Sequence, residues 1–294
     1  MKRTDLALEM RERIKEPREI RGVRLEKHKN ASGKVQITNM EILNEEGSKI
    51  IGKPKGNYIT IELLDWKEEE ELQKVLIQNM EKLLGERRKI FVVGLGNRDI
   101  TPDALGPWTV DEIMVTRHIL KEYGATFGEK YGWGEVEALA PGVMAQPGME
   151  VQEILQGAVK HTKPEVVLVF DALAARSMKR LGKTIQITNT GIHPGAGVGN
   201  NRKALTRETL GTEVIAIGVP TVVDAQTLAE DYLEEGLRRM DLTEQEIETF
   251  LQNTQNEKMK GMFMAGKDVD QQVRKMSKIL SNAINHVTGV CKIE

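Results

Sequence analysis

Three short and largely apolar segments constrain the fold of this chain most. They lie at 89–93, 166–170 and 213–219. Stretches with helical spacing of apolar residues follow or separate them, at 67–84, 107–122, 149–161 and 225–239. Strands that are apolar along their whole length are typical of a parallel sheet with helices on both faces. The alternation therefore predicts an α/β fold, a three-layer αβα sandwich with a mostly parallel central sheet.

The N-terminal part has a different rhythm. Segments 22–28, 34–43 and 58–63 are strand-like and are separated by turn residues, which predicts a β-rich N-terminal addition over about residues 20–65. Helical patterns at 6–15, 243–253 and 268–287 complete the chain, with Pro17 ending the first. With 294 residues, 39% hydrophobic and 29% charged, we expect one domain over 6–294.

Composition argues against several classes of function. The net charge is −2 with both signs interspersed, so we expect no direct nucleic-acid binding and no membrane binding. The N-terminus lacks the apolar core of a signal peptide, and the longest apolar runs are too short to cross a bilayer. Cys291 is the single cysteine, which rules out a disulfide framework and fits a reducing, cytoplasmic setting.

Ligands of open α/β sheets bind outside the carboxyl ends of the strands. Asp103 follows the first apolar strand and precedes a helix, where an aspartate also suits an N-cap. Asp171 ends the second apolar run, and Arg176 could be its ion-pair partner. Gly94 and Gly96 lack the third glycine of a dinucleotide loop, and no Gly-Lys-Ser/Thr of a phosphate loop is present.

A glycine-rich loop at 188–202 also arrives at this edge. It contains His193, Gly195 and Gly197, and such a loop allows its backbone to approach a substrate closely. A histidine in a loop is more often a surface residue than a ligand, although it suits proton transfer and metals. The turn-rich segment 140–149 is a second candidate wall of the pocket.

Paired carboxylates are the chemistry that remains open to this chain. Two carboxyl groups a few ångströms apart can share one proton, so that one takes a proton from water while the other polarises a carbonyl. The sequence has no Gly-x-Ser-x-Gly elbow, no His-Glu-x-x-His motif and no cysteine near these loops. These observations indicate a paired-carboxylate hydrolase.

At these residues the sequence resembles the germination protease family of spore-forming bacteria, which are atypical aspartic endopeptidases. The resemblance rests on Arg3-Thr4-Asp5-Leu6-Ala7 and on the runs at 101–107, 140–149, 171–176 and 188–200. The segment with Gly94, Gly96, Asn97, Asp103 and Gly106 is also similar to one in hydrogenase-maturation endopeptidases. The resemblance implies the αβα sandwich that both groups share.

The resemblance also implies roles for particular residues. Asp103 and Asp171 would be the catalytic pair, acting without a cofactor or metal. The residues expected to bind substrate or support the pair are Asn97, Asp99, Arg176, His193, Gly195 and Gly197. The chain would be a self-processing zymogen cleaved between Asp5 and Leu6, with residues 1–5 as a short propeptide.

The implied substrates are small acid-soluble spore proteins, and the implied assembly is a homotetramer in the spore core. Two alternatives stay open. One is a metal-dependent peptidase of the hydrogenase-maturation type, with Asp103, Asp171 and His193 as ligands. The other is a protein without enzymatic activity that binds spore proteins in the same pocket.

Overall fold

A computed structural model describes residues 4–14, 20–195, 202–240, 242–253, 259 and 261–291. Its centre is one mixed sheet of nine strands. The strands are β1 (Val23–Lys29), β2 (Val35–Ile42), β3 (Gly56–Leu63), β4 (Lys89–Gly94), β5 (Glu135–Leu139), β6 (Val166–Ala175), β7 (Thr184–Thr188), β8 (Glu213–Asp224) and β9 (Phe263–Ala265). Their order is β1-β2-β3-β7-β8-β6-β4-β5, and β9 pairs with β8.

One half of the sheet is parallel, as predicted. Strands β5, β4, β6 and β8 run in the same direction. Both faces of β6 are buried: Leu168 and Phe170 point into one apolar core, whereas Val167 and Val169 point into another. This two-sided burial explains why the strand is apolar along its length.

The N-terminal strands belong to the same sheet. Strands β1, β2 and β3 form an antiparallel meander, and β3 pairs with β7, which pairs with β8. Of the eight pairings among the described strands, three are parallel and five are antiparallel. The predicted parallel arrangement is therefore confirmed for the half from β8 to β5, and the predicted β addition extends that sheet.

Helices cover both faces, which confirms the three-layer α/β architecture. They are α1 (Ala7–Glu12), α2 (Glu45–Ile51), α3 (Glu69–Leu84), α4 (Leu105–Asp111), α5 (Arg117–Tyr123), α6 (Ala125–Tyr131), α7 (Val151–Thr162), α8 (Arg207–Leu210), α9 (Ala225–Arg238), α10 (Glu244–Asn253) and α11 (Val269–Val287). Helices α3, α4 and α11 pack on one face, and α7 and α8 pack on the other. Within the described ranges, no helix combines the length and apolar character needed to cross a membrane.

The helix predicted at 107–122 is two helices, α4 and α5. Thr116 interrupts it, because its hydroxyl donates to the Gly134 carbonyl over 2.5 Å and accepts from the Val136 N–H over 2.9 Å. The Met114 N–H donates to the Asn285 side chain over 2.9 Å. These bonds to β5 and α11 replace the ones that would continue the helix. The first helix is also shorter than predicted, and Pro17 lies outside the described residues.

Candidate active site

Asp103 ends a short 3-10 turn, Thr101–Asp103, between β4 and α4. The Asn97 backbone N–H donates a hydrogen bond to Asp103 Oδ2 over 2.7 Å. Gly96 permits this fold of the loop, since a side chain there would meet the Asp103 carbonyl oxygen at 1.9 Å. Asp103 does not cap α4: the N-cap position is Ala104, which has no side-chain cap bond.

Asp171 lies within β6 and not at its end as predicted, because β6 continues to Ala175. The pairing of β4 with β6 stops at Gly94 and Phe170, so Asp171 is the first residue of β6 beyond it. The Asp171 side chain is buried, at 7% exposure, and its Oδ1 accepts the Ala172 N–H over 2.9 Å. The buried carboxyl group of Asp171 therefore lies at the point where β4 and β6 cease to pair.

Helix α4 packs closely on this opening. A side chain at Gly106 would lie 2.3 Å from the Leu95 carbonyl oxygen and 2.7 Å from that of Phe170. The Leu95 N–H also donates to the Phe170 carbonyl over 2.8 Å. The start of α4, and Asp103 just before it, are thereby held against the part of β6 that carries Asp171.

Both carboxyl groups line one cavity of about 670 Å³. Its charged and polar lining includes Lys53, Asp103, Asp171, Gln186, His193 and Arg202. Lys53 follows α2, and Gln186 lies in β7, so the cavity draws on the antiparallel half of the sheet as well as the parallel half. Both halves of the sheet therefore contribute residues to the site.

The two carboxyl groups have different surroundings, which shift their pKa values differently. Burial raises the pKa of Asp171 well above its usual value, and the nearby charges of Asp103 and Asp5 raise it further. Burial also raises the pKa of Asp103. The charge of Arg202 opposes the rise at both groups, as does one backbone N–H at each, from Asn97 at Asp103 and from Ala172 at Asp171, but only Asp171 has like charges that raise its pKa further. In a pair that shares one proton, Asp171 is thus the better holder of the proton and Asp103 the better base.

Of the two residues expected to support the aspartate pair, Asn97 contacts Asp103, whereas Asp99 lies outside the cavity. Asn97 holds Asp103 through its backbone, while its side-chain oxygen accepts the Asp99 N–H over 3.1 Å. Asp99 is exposed and does not line the cavity. Asp103, and not Asp99, lines the cavity together with Asp171, and the Asp5 carboxyl group lines it as well.

Arg176 does not pair with Asp171, contrary to our expectation. Its guanidinium makes two hydrogen bonds to Asp231 of α9, at 2.5 and 2.7 Å. Its backbone N–H donates to Glu9 of α1 over 2.7 Å. Arg176 lies beyond the end of β6 and connects two helices to it, so the Asp171 carboxyl group has no guanidinium partner from this residue.

The glycine-rich loop reaches the cavity at His193 and Gly195, whereas Gly197 lies outside the described residues. Gly195 has a φ of +74°, a conformation that favours glycine. Across the described part of the chain, no group of three or more His, Cys, Asp or Glu side chains is arranged to hold a metal ion. His193 thus shares the cavity with Asp103 and Asp171 without completing a ligand set.

The N-terminal segment reaches the same cavity, which Asp5 lines. The Asp5 N–H donates to the Ala174 carbonyl over 2.8 Å, and the Ala174 N–H donates to Asp5 Oδ2 over 2.9 Å. Leu6 is fully buried in an apolar cluster with Leu173 and Val223. The N-terminal segment is therefore hydrogen-bonded to β6 at Ala174, three residues beyond Asp171, and Asp5 lines the cavity.

Several charged or polar residues of the cavity were not predicted from the sequence, among them Lys53 and Gln186, whereas Arg202 lies in the predicted loop at 188–202. Gln186 stands between Ile185 and Ile187 in β7, a strand that we did not predict. A polar residue flanked by two isoleucines was the available signal for it. Lys53 lies in a turn that reads as surface, yet burial lowers its pKa, which the charge of Asp5 partly opposes.

Comparison with known proteins gives a consistent result. A family model described as germination protease matches residues 2–249. The germination protease of Caldanaerobacter subterraneus subsp. tengcongensis is 43% identical, covering 96% of this chain and 93% of that protein. Those of Clostridium perfringens and Clostridium tetani are 40% and 41% identical, each covering 96% of this chain and 94% of the relative.

Among solved structures, the hydrogenase maturation protease HycI of Thermococcus kodakarensis is similar at 15% identity and a TM-score of 0.36. The alignment covers 70% of this chain and 99% of that one.

Proposed function

The chain belongs to the germination protease family, and from that premise we propose that it is an aspartate-dependent endopeptidase that begins the degradation of small acid-soluble spore proteins. Membership makes the chain a peptidase that acts in spore germination. The catalytic type, the zymogen and the identity of the substrate are the parts that we propose.

The observation that carries the aspartic mechanism is the shared cavity of two carboxyl groups with different environments. Asp103, held by the Asn97 N–H, takes a proton from the attacking water. Asp171 holds a proton because it is buried beside two other carboxyl groups, and it donates that proton to the oxygen of the substrate carbonyl. The two groups exchange roles when the amine leaves.

Self-processing is supported by the position of the chain's own N-terminal segment. Asp5 lines the cavity and is held on β6, and the Asp5–Leu6 bond leads from it into the apolar cluster that contains Leu6. We propose that cleavage there converts the zymogen to the active peptidase. The homotetramer and the spore core are the assembly and location that we propose along with this role.

Substitution of each aspartate tests the mechanism. Asp103→Asn and Asp171→Asn should each abolish cleavage of a small acid-soluble spore protein, seen as fragments on a gel. Both should also prevent the appearance of a new terminus at Leu6, seen by mass spectrometry. Full activity of either variant would refute the aspartate pair, and binding of the spore protein without fragments by the wild-type chain would favour a binding protein.

Asp99→Asn is the matched control, since Asp99 is exposed and lies outside the cavity. We expect it to cleave as fast as the wild type. Exhaustive chelation of divalent ions should leave cleavage unchanged if the two carboxyl groups act alone. Loss of activity that added metal restores would favour the metal-dependent alternative.

A further inference from the structure

Gln186 contacts both sides of the Asp5–Leu6 peptide bond. Its Nε2 donates to the Asp5 carbonyl oxygen over 3.3 Å, and its Oε1 accepts the Ala7 N–H over 2.7 Å. Because one partner is an acceptor and the other a donor, they fix the orientation of the amide group. The carbonyl that Gln186 contacts is the one that cleavage at this position would attack.

The register of the sheet places Gln186 opposite Asp171. Gly218 of β8 pairs with Asp171 of β6 on one side and with Gln186 of β7 on the other. Residues paired across neighbouring strands project to the same face, and strands are about 4.8 Å apart. The Asp171 and Gln186 backbones are thus separated by roughly 10 Å, with β8 between them, and their side chains project to the same face of the sheet.

Gly218, between them, leaves room for the side chain of Leu173. A side chain there would lie 2.4 Å from Leu173 Cδ1. Leu173 instead occupies this space and belongs to the same apolar cluster as Leu6. Leu6, the residue after the scissile bond, therefore packs with Leu173 above the middle strand, while the Asp5 backbone is hydrogen-bonded to Ala174 of β6 and to Gln186 of β7.

Burial strengthens the contact of Gln186 with the carbonyl. The Gln186 side chain is only 7% exposed. A donor that is shielded from water and already aimed at an oxygen stabilises negative charge better than water does, because it does not have to reorient. This is the requirement for a group that acts on a carbonyl during hydrolysis.

We propose that Gln186 is a third catalytic residue, which donates a hydrogen bond to the scissile carbonyl oxygen as negative charge develops on it. The inference rests on the proposed function.

In the proposed reaction, water loses a proton to Asp103 and forms the new carbon–oxygen bond, and the carbonyl electron pair moves to the oxygen facing Gln186. That oxygen receives the proton of Asp171. When the carbon–nitrogen bond breaks, the Leu6 nitrogen takes the proton held by Asp103, and the carboxyl product gives one back to Asp171.

A purely structural role for Gln186 makes a different prediction. Such a residue would hold the N-terminal segment in the cleft, and its loss would lower occupancy of the cleft without slowing the bound segment's cleavage. The two roles are therefore separated by measuring occupancy and rate independently. Hydrogen–deuterium exchange of residues 4–8 in an Asp103→Asn background reports occupancy, because that background should not cleave.

The experiment follows the appearance of the Leu6 terminus in the full chain by mass spectrometry, for wild type, Gln186→Leu and Gln186→Glu. Gln186→Glu keeps the acceptor for the Ala7 N–H but removes the donor when ionised. We expect both variants to cleave about 100-fold more slowly than wild type at neutral pH after correction for occupancy. Gln186→Glu should recover as pH falls and its carboxyl group gains a proton.

Thr184→Val is the matched control, since Thr184 is a buried residue of the same strand that does not line the cavity. It should process like the wild type. The proposal is overturned if occupancy alone accounts for the slower cleavage, or if both Gln186 variants cleave at the wild-type rate. If the wild-type chain itself never gains a terminus at Leu6, the proposed processing has failed, and that result is distinguishable from a failure of Gln186.

Discussion

At the scale of single residues, the most unusual group is the Asp171 carboxyl. A buried acid with a strongly perturbed pKa, in a cavity beside a second acid, is typical of a functional site, since burial of a charge opposes folding. The Ala172 N–H is one hydrogen bond that compensates it. We therefore expect the buried Asp171 carboxyl group to lower the free energy of unfolding.

Asp171→Asn should stabilise the uncleaved fold, and increasingly so as pH rises. The pKa of Asp171 is raised in the folded chain above the unfolded value of about 3.9. Below the unfolded value both states hold the proton. Above it only the folded chain does, so the wild-type free energy of unfolding falls by about 1.4 kcal/mol per pH unit until pH passes the folded pKa. Asn loses no proton and avoids this fall.

Urea unfolding at several pH values between 4 and 7 measures the effect. The stability difference between Asp171→Asn and wild type should widen with pH until pH passes the folded pKa of Asp171, and should stay constant above it. Asp99→Asn, at an exposed position, should follow the wild-type curve. A difference that stays flat over the whole range, or narrows towards neutral pH, would mean that burial does not control this carboxyl group.

At the scale of residues, the sequence predicted those candidates that interrupt or follow an apolar run. Asp171 ends an apolar run, and Asp103 follows a strand, so both were visible as candidates. Gln186 and Lys53 were not, because their roles depend on which distant strand or turn lies opposite the peptide. Arg176 was misassigned for the same reason: its partner Asp231 comes from α9, far along the chain.

At the scale of elements, α1 holds the N-terminal segment in the cleft. Glu9 of α1 is buried, and its carboxylate accepts the Arg176 and Ser177 N–H groups over 2.7 and 3.1 Å. It also pairs with Arg180 over 3.1 Å, while the more exposed Glu12 pairs with the same guanidinium over 2.8 Å. Of these two acidic residues of α1, Glu9 therefore makes the contacts that are better shielded from water.

Glu9→Gln should loosen α1 and slow cleavage at Leu6. The substitution places an NH₂ group against donors that need an acceptor, and hydrogen bonds to charged groups contribute about 1.5–3 kcal/mol. That corresponds to roughly a tenfold to hundredfold drop in occupancy of the cleft. We expect faster hydrogen exchange over residues 4–12 and slower processing, with fragments of added spore protein still produced by any processed enzyme.

Glu12→Gln tests whether the burial of Glu9 matters. It removes a charge from the same Arg180, but exposed ion pairs contribute only about 0–1 kcal/mol. Exchange and processing should stay close to wild type. Equal effects of the two substitutions would show that α1 is held by charge alone and not by the buried hydrogen bonds of Glu9.

Element-scale prediction worked best for elements with one dominant local signal. Helix α3 was expected at 67–84 and ends at Leu84, where Gly85 follows at φ +57°. The break between α4 and α5 was missed, because it results from bonds that Thr116 makes to β5. Strand β5 itself, Glu135–Leu139, alternates acidic and apolar residues over only five positions, too few to distinguish from a loop.

At the scale of the whole molecule, the antiparallel and parallel halves share one core. A single apolar cluster contains Val35 and Ile61 of the N-terminal strands, Leu168 of β6 and Ile284 of α11. Sequence could identify the N-terminal strands but not their attachment, because β3 joins the sheet through β7, more than a hundred residues later. The cavity depends on this attachment, since Lys53 and Gln186 reach it from that half.

A shared core predicts that the chain unfolds as one unit. Ile61→Ala, at a fully buried position of β3, should lower the free energy of unfolding by about 2–5 kcal/mol. Because the same cluster includes β6 and α11, the loss should move the whole calorimetric transition and leave its single peak intact. Leu64→Ala, at a half-exposed position just after β3, should change stability by about 0.5 kcal/mol or less. Two resolved transitions, with only the first moved by Ile61→Ala, would mean that residues 20–65 fold apart from the catalytic sheet, and that Lys53 reaches the cavity from a separate domain.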